Sequence, residues 1–235
     1  MMLCPICHDK TTPKERSSFF CHACSHTYRP FNGDASKFHA EQYRNLSTSQ
    51  RVKREFSSAG KVSQAFHDAR SNIVNKRRKA VLKFLRDNDK CLDIGSGAGT
   101  FAREVINDVE SVTCLELDQR LVEESERLGF ETLQTDFLET DIEGELFDHV
   151  FAWHVLEHVD NVHEFLRKCC SISRNKVFIE VPTRRRVTKH FDGHIHYFSP
   201  NSLRKLAQLA SADFEVESIA EGIQSPASLM ILSRI

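Results

Sequence analysis

From Lys90 to the last residue, short apolar runs alternate with amphipathic stretches, and this pattern constrains the fold more than any other feature of the chain. CLDIG (91–95), SVTCLELD (111–118), ETLQTDF (131–137), the start of FDHVFAWHVLEHV (147–159), KVFIEVP (176–182), FEVESI (214–219) and SLMILSRI (228–235) read as seven strands. TFAREVINDV (100–109), QRLVEESERLG (119–129) and SPNSLRKLAQLA (199–210) read as helices between them, the last opening with Ser199 and Pro200 at cap and first-turn positions. A fourth helix is expected within 147–159, where the fourth strand runs into it. Strands separated by helices imply a parallel α/β sheet covered on both faces. The final two strands have no helix between them, so one of them should run antiparallel.

Between the first strand and the first helix lies Asp93-Ile94-Gly95-Ser96-Gly97-Ala98-Gly99. Glycines at such a turn let the backbone bend sharply and approach a ligand closely. The third glycine follows the second by two residues, where a dinucleotide fingerprint has three. Asp93 puts a carboxylate at the strand end, suited to a ligand's ammonium group. Glu116, followed by Leu117, ends the second strand where a carboxylate can accept from ribose hydroxyls. Asp136 and Phe137 end the third strand and offer an edge and a face to a base.

These residues carry a resemblance. LDIGSGAG (92–99), LELD (115–118), TDF (135–137), FDHVFAWHVLEHV (147–159) and IEVP (179–182) resemble the class I S-adenosylmethionine-dependent methyltransferases in order and interval across 90–235. The resemblance implies a seven-stranded Rossmann-like sheet and S-adenosylmethionine as cofactor. Gly95, Ser96, Gly97 and Gly99 would wrap its amino-acid part. Glu116 with Leu117 would bind the ribose, and Asp136 with Phe137 the adenine. Trp153 and His154 would lie near the sulfonium.

Residues 1–32 have too little apolar material to fold by burial and need a staple. Cys4-x2-Cys7, thirteen residues, then Cys21-x2-Cys24 supplies one, since four thiolates on two turns form a tetrahedral structural zinc site. The segment resembles the zinc ribbons that precede many small bacterial methyltransferases. Cys91, Cys114, Cys169 and Cys170 sit in apolar runs and read as buried small hydrophobes. Three segments follow: a ribbon (1–32), a polar, basic helical extension (33–89) with its best helix near 70–86, and the methyltransferase domain (90–235). The basic run Lys76–Lys79 reads as a solvated helix face.

Methyl transfer to a hydroxyl or an activated carbon needs a base, and histidine is the usual one. His154 follows the fourth strand. His190, His194, His196 and Tyr197 lie in the loop after the fifth, which usually walls the substrate pocket in this fold. The HxHYFS sequence there resembles sugar and small-metabolite methyltransferases, making His194 and His196 further base candidates. His154 to His158 also matches the H-x-x-E-H pattern of zinc peptidases, but it directly follows a sheet strand, which excludes that reading. Ubiquinone-pathway O-methyltransferases carry a similar segment with Glu in place of His154, and some use a divalent ion. The substitution argues against the same ion here. Arg184 and Arg185, at the expected pocket mouth, suit a phosphate, carboxylate or sulfate of a substrate.

The net charge of −1 conceals a split: residues 1–90 hold 18 Lys and Arg against 8 Asp and Glu, the remainder 14 against 25. A small anionic metabolite, sugar or glycan precursor is the leading substrate class, modified on oxygen or carbon. RNA gripped by the ribbon and basic helices is the second reading, and a non-catalytic binding protein the third. Met1 to Arg16 is polar and basic and no 18-residue apolar run occurs, so a cytoplasmic protein without a membrane span is expected. The oligomeric state is not encoded in any feature of the sequence.

Overall fold

The computed structural model describes residues 2–15, 17–31, 38, 64–142, 144, 146–183, 187, 193–223 and 226–235, with backbone only for 64–69. Three short strands, β1 (Thr12–Lys14), β2 (Ser18–Cys21) and β3 (His26–Tyr28), pair antiparallel and carry the four clustered cysteines on two turns. Helix α1 spans Gln64–Val81 and passes into a 3-10 turn, Leu82–Phe84. The sheet domain follows as β4 (Lys90–Ile94), α2 (Thr100–Val105), β5 (Ser111–Glu116), α3 (Gln119–Arg127), β6 (Thr132–Gln134), β7 (Phe147–Trp153), α4 (Val162–Ile172), β8 (Ser173–Pro182), β9 (His196–Tyr197), α5 (Pro200–Ala210), β10 (Phe214–Glu221) and β11 (Ala227–Arg234).

The large sheet has seven strands in the order β10-β11-β8-β7-β4-β5-β6. Its last five are parallel, and β11 runs antiparallel to both neighbours, as the missing helix between the two final strands requires. The order reverses at β4 and β7, so their carboxyl ends open the crevice in which α/β sheets bind ligands.

Period-two alternation along β7 divides the core. Val150 and Ala152 join the apolar faces of α4 and α5, while Phe151 and Trp153 join α1 and α2. Phe151, Phe165 and Phe178 are fully buried, each contributing roughly 1.5–3 kcal/mol through removal from water. Cys91, Cys114, Cys169 and Cys170 are buried among these residues, and burial raises all four thiols, which stay protonated. Ser199 caps α5 in a reciprocal pair with Ser202, with Pro200 in the first turn.

The ribbon is joined to the sheet domain. Strand β9 lies outside the large sheet and pairs with β3, making a four-stranded sheet of β1, β2, β3 and β9. The 76–79 run is less solvated than its charge implies. Arg77 bonds Glu180 at 3.1 Å and lies over the Trp153 ring, and Arg78 grips Asp108 with two bonds of 2.6 and 2.7 Å. Among the described residues, no helix is long and apolar enough to cross a membrane.

Candidate active site and zinc ribbon

The glycine loop sits at the carboxyl end of β4. Gly95, Gly97 and Gly99 all have positive φ, a region that side chains avoid. A Cβ on Gly95 would strike Val155 at 2.6 Å and one on Gly99 would meet Ser125 at 2.7 Å, so these two glycines serve packing. A Cβ on Gly97 would meet nothing within 4 Å, so this glycine borders open space. Glu116 at the end of β5 accepts from the backbone N–H groups of Gly97, Leu117 and Asp118 at 2.7–3.0 Å, fixing the loop against the strand. Burial pushes the Glu116 carboxyl up, against the pull of those three donors.

Asp93 is almost fully buried, yet neither carboxylate oxygen has a hydrogen-bond partner among the described residues. Burial raises its pKa to about 8, with Arg77 pulling it down and Glu116 pushing it up. Ser96 Oγ is likewise buried without a partner. Buried acceptors without donors at the glycine loop, beside a Gly97 that borders open space, are what an ammonium-bearing ligand would satisfy. The residues therefore fit S-adenosylmethionine.

Other sequence-assigned residues lie elsewhere than expected. Phe137 is turned into the core edge-on to Phe165, and Lys168 covers its ring, so its face is not offered to a base. Asp136 accepts from Leu138 N–H in the same turn. Trp153 points into the α1–α2 core against Phe101 and Phe151, because it shares a strand face with Phe151. His196 lies inside the ribbon interface, bonded to His26 at 3.1 Å and to the Val159 carbonyl at 3.0 Å. Burial lowers it to about 4, and enclosure on both ring nitrogens removes it as a base. Tyr197 is buried beside His194. Arg184, Arg185 and His190 lie outside the described residues.

His154 is held in a left-handed conformation, φ 60°, immediately after β7. Its Nε2 lies 3.2 Å from Glu180 and its Nδ1 3.3 Å from Glu157. Burial works against charge on this ring, but the two carboxylates outweigh it and hold the pKa up at about 9. A ring charged at neutral pH and clamped at both nitrogens is a poor base. His194 is partly buried, its ring 4.7 Å from that of His158. Glu157 and His158, buried at the turn after β7, belong to the H-x-x-E-H run for which the sequence argues against a divalent ion.

In the ribbon the sulfurs of Cys4 and Cys24, Cys7 and Cys21, and Cys7 and Cys24 lie 3.5–3.6 Å apart, and all four fall within 4.8 Å of one another. Sulfurs ~2.3 Å from a tetrahedral zinc are about 3.8 Å apart, so the set fits that ion. The Ile6 N–H donates to Cys4 Sγ, and the residues following each pair, His8 and Ser25, both take φ of 59°. The two turns are thus built alike.

A methyltransferase-domain family model matches residues 65–219. The chain belongs to that methyltransferase family. Its seven-stranded sheet is the class I, S-adenosylmethionine-dependent type, and the comparisons agree on the fold. The chain is similar to magnesium protoporphyrin IX methyltransferase from Synechocystis PCC 6803 with bound SAH, at 14% identity and TM-score 0.60, covering 84% of this chain and all of that one (100%). A chain from a Haloferax volcanii complex containing the Trm112 methyltransferase activator aligns at 14% identity and TM-score 0.62, covering 78% and 97%. Among curated proteins, the ribosomal RNA small subunit methyltransferase A of Mycoplasmopsis synoviae (strain 53) is 34% identical over 85 residues. That match covers 34% of this chain and 32% of the relative, so the chain spans about a third of that protein's length.

Proposed function

We propose that this methyltransferase acts on oxygen or carbon of a small polar metabolite, sugar or glycan precursor, with S-adenosylmethionine as donor. The observation that carries this reading is the recess of the carboxyl end of the sheet. Asp93, Glu157 and Glu180 are almost fully buried there, Glu116 stands beside them, and only partly buried His154 and His194 reach outward. With Arg77 and the charged His154 set against Glu157 and Glu180, and Asp93 protonated, it is the recess and not net charge that favours a small acceptor.

The bound cofactor supplies an electrophilic methyl group. The chain's own residues do the rest. Asp93 and Ser96 meet the amino-acid end, and Glu116, with the Leu117 turn, meets the ribose. His154, charged between Glu157 and Glu180, keeps the turn after β7 in its strained form. His194 touches the acceptor. The four ribbon thiolates hold a structural zinc, and β3 carries that order to β9 and the acceptor loop.

RNA is the second reading, and one observation favours it. Lys83, Arg86, Arg174, Lys176 and Arg234 line a cleft of about 520 Å³ at the amino ends of the strands. The similar segment of the ribosomal RNA methyltransferase agrees with it. Purification at low salt followed by a high-salt wash separates the two. A small metabolite identified by mass spectrometry, with methylation insensitive to salt, supports the first reading. Nucleic acid released by salt, and methylation of RNA that falls steeply with ionic strength, overturns it.

A further inference from the structure

At the end of the sheet opposite the glycine loop, three segments meet around the cleft of about 520 Å³. Lys83 and Arg86 come from the turn that joins α1 to β4, Arg174 and Lys176 from the start of β8, and Ser233 and Arg234 from the end of β11. The antiparallel course of β11 brings its last residues here, where Ser233 pairs with Lys176, and Lys176 in turn with His149 of β7. Strand β7 is seven residues long, roughly 20 Å, and separates this cleft from the glycine loop.

Five cations line the cleft against one carboxylate side chain, that of Asp89. Asp89 is buried and turned inward, accepting from the Arg86 backbone N–H at 2.7 Å and facing His149 Nε2 at 3.0 Å. It does little to neutralise the lining. The cations themselves are met unequally. Lys176 pairs with Glu217 and donates to Ser233 Oγ at 2.8 Å, whereas Arg174 reaches Asp148 only at 3.9 Å. Arg86 donates to the Lys83 and Leu85 carbonyls and Lys83 lies over the Phe84 ring, and neither makes an ion pair among the described residues. Arg234 is tied to the Ser173 carbonyl at 2.8 Å. Like charges gathered in one cleft repel one another, and an anion between them relieves that repulsion. The bonds to backbone carbonyls hold two of the guanidinium groups in place for it.

We propose that this cleft is a second ligand site, taking a small molecule with two or more linked phosphates, and that it is separate from methyl transfer. Guanidinium groups bind phosphate oxygens two at a time, and lysines add point charge. The ammonium groups of Lys83 and Lys176 both lie over the Phe84 ring, so the two walls reach the same ligand. The volume is that of a small-ligand site. A long phosphate backbone fits less well, because Glu217 and Asp148 stand beside Lys176 and Arg174 and repel a chain that continues past them. The same cations favour the RNA reading above, so the occupant of the cleft weighs on that reading too. No residue of the glycine loop takes part, and the proposal does not depend on the methyltransferase reading.

The test is calorimetric titration of inorganic pyrophosphate into the full chain, with ribbon zinc content measured before and after. Wild type should bind about one pyrophosphate per chain, and inorganic phosphate more weakly. The Lys83→Glu, Arg86→Glu double variant should bind pyrophosphate at least about tenfold more weakly, and Arg174→Ala severalfold more weakly. Arg204→Glu with Lys205→Glu makes the same charge change at exposed positions of α5 and should bind as wild type. S-adenosylmethionine affinity should be the same in all four proteins. Absence of pyrophosphate binding in wild type at millimolar concentration overturns the proposal. So does equal affinity in the cleft variants, an equal loss in the α5 variant, or equal affinity for inorganic phosphate. Loss of S-adenosylmethionine binding in a folded cleft variant overturns the separation from methyl transfer. A short single-stranded RNA is titrated alongside. RNA that binds more tightly than pyrophosphate, and is lost in the cleft variants, overturns the small ligand and gives the cleft to nucleic acid. Should the double variant fail to fold, Arg174→Ala against the α5 variant decides.

Discussion

Asp93 shows how one residue links stability to ligand binding. It is buried without a donor, and burial raises its pKa to about 8. An unfolded chain loses this proton near the ordinary value of 3.8, so the folded state binds more protons between the two values. Its contribution to stability is therefore largest below about pH 4 and falls as pH rises toward 8. Asp93→Asn should flatten that fall and stabilise the ligand-free protein near pH 8 by a few kcal/mol, since each pH unit between the two values costs about 1.4 kcal/mol. Thermal unfolding across this pH range measures it, and an unchanged slope contradicts the account. Ser25 makes a second case. It takes the left-handed turn after the second cysteine pair, a conformation costing about 1 kcal/mol outside glycine. Ser25→Gly should stabilise the zinc-loaded ribbon by about 0.5–1 kcal/mol in denaturant unfolding. Residue types and spacing made Asp93, Gly97, Glu116 and the four cysteines legible in the sequence. The directions of Phe137, Trp153 and His196 were not, because each depends on which face of a strand or turn the residue occupies, and that is set by distant partners.

Elements divide the same way. The five parallel strands and the antiparallel β11 were readable from apolar runs and from the absence of a helix before the last strand. Helix α4 was readable but missed. Its buried residues Val162, Phe165, Leu166, Cys169 and Cys170 recur at three- and four-residue spacing, and the expected helix was placed too early, within 147–159. Strand β9 has only two residues and exists because β3 lies beside it, so no local pattern marks it. Helix α1 is more than a solvated basic helix, since Arg77 reaches the fully buried Glu180. Arg77→Ala leaves that carboxylate with His154 as its described cationic neighbour and should cost about 3 kcal/mol. Arg78→Ala, which breaks a more exposed pair with Asp108, should cost about 1 kcal/mol or less. Equal effects of the two in urea unfolding contradict this ranking.

At the scale of the molecule, the charge split corresponds to two cooperating parts. The ribbon's third strand extends through β9 to the loop carrying His194. Its Cys24 carbonyl accepts from Ser199, the cap of α5, and His163 of α4 bonds the Ile6 carbonyl. Removing the zinc should therefore be felt in the sheet domain. The Cys21→Ser, Cys24→Ser double variant should release about one zinc per chain and speed amide hydrogen exchange across 193–198. Exchange confined to residues 1–32 would show that ribbon and loop are independent.

The central claim is that the open space beside Gly97 holds S-adenosylmethionine. A Cβ on Gly97 meets no protein atom within 4 Å, so an arginine there starts into ligand space rather than the core. Titration calorimetry of S-adenosylmethionine into wild type and Gly97→Arg tests this directly. The account predicts about one site per chain in wild type and no measurable binding in a variant that still unfolds cooperatively. Wild-type affinity in folded Gly97→Arg would contradict it.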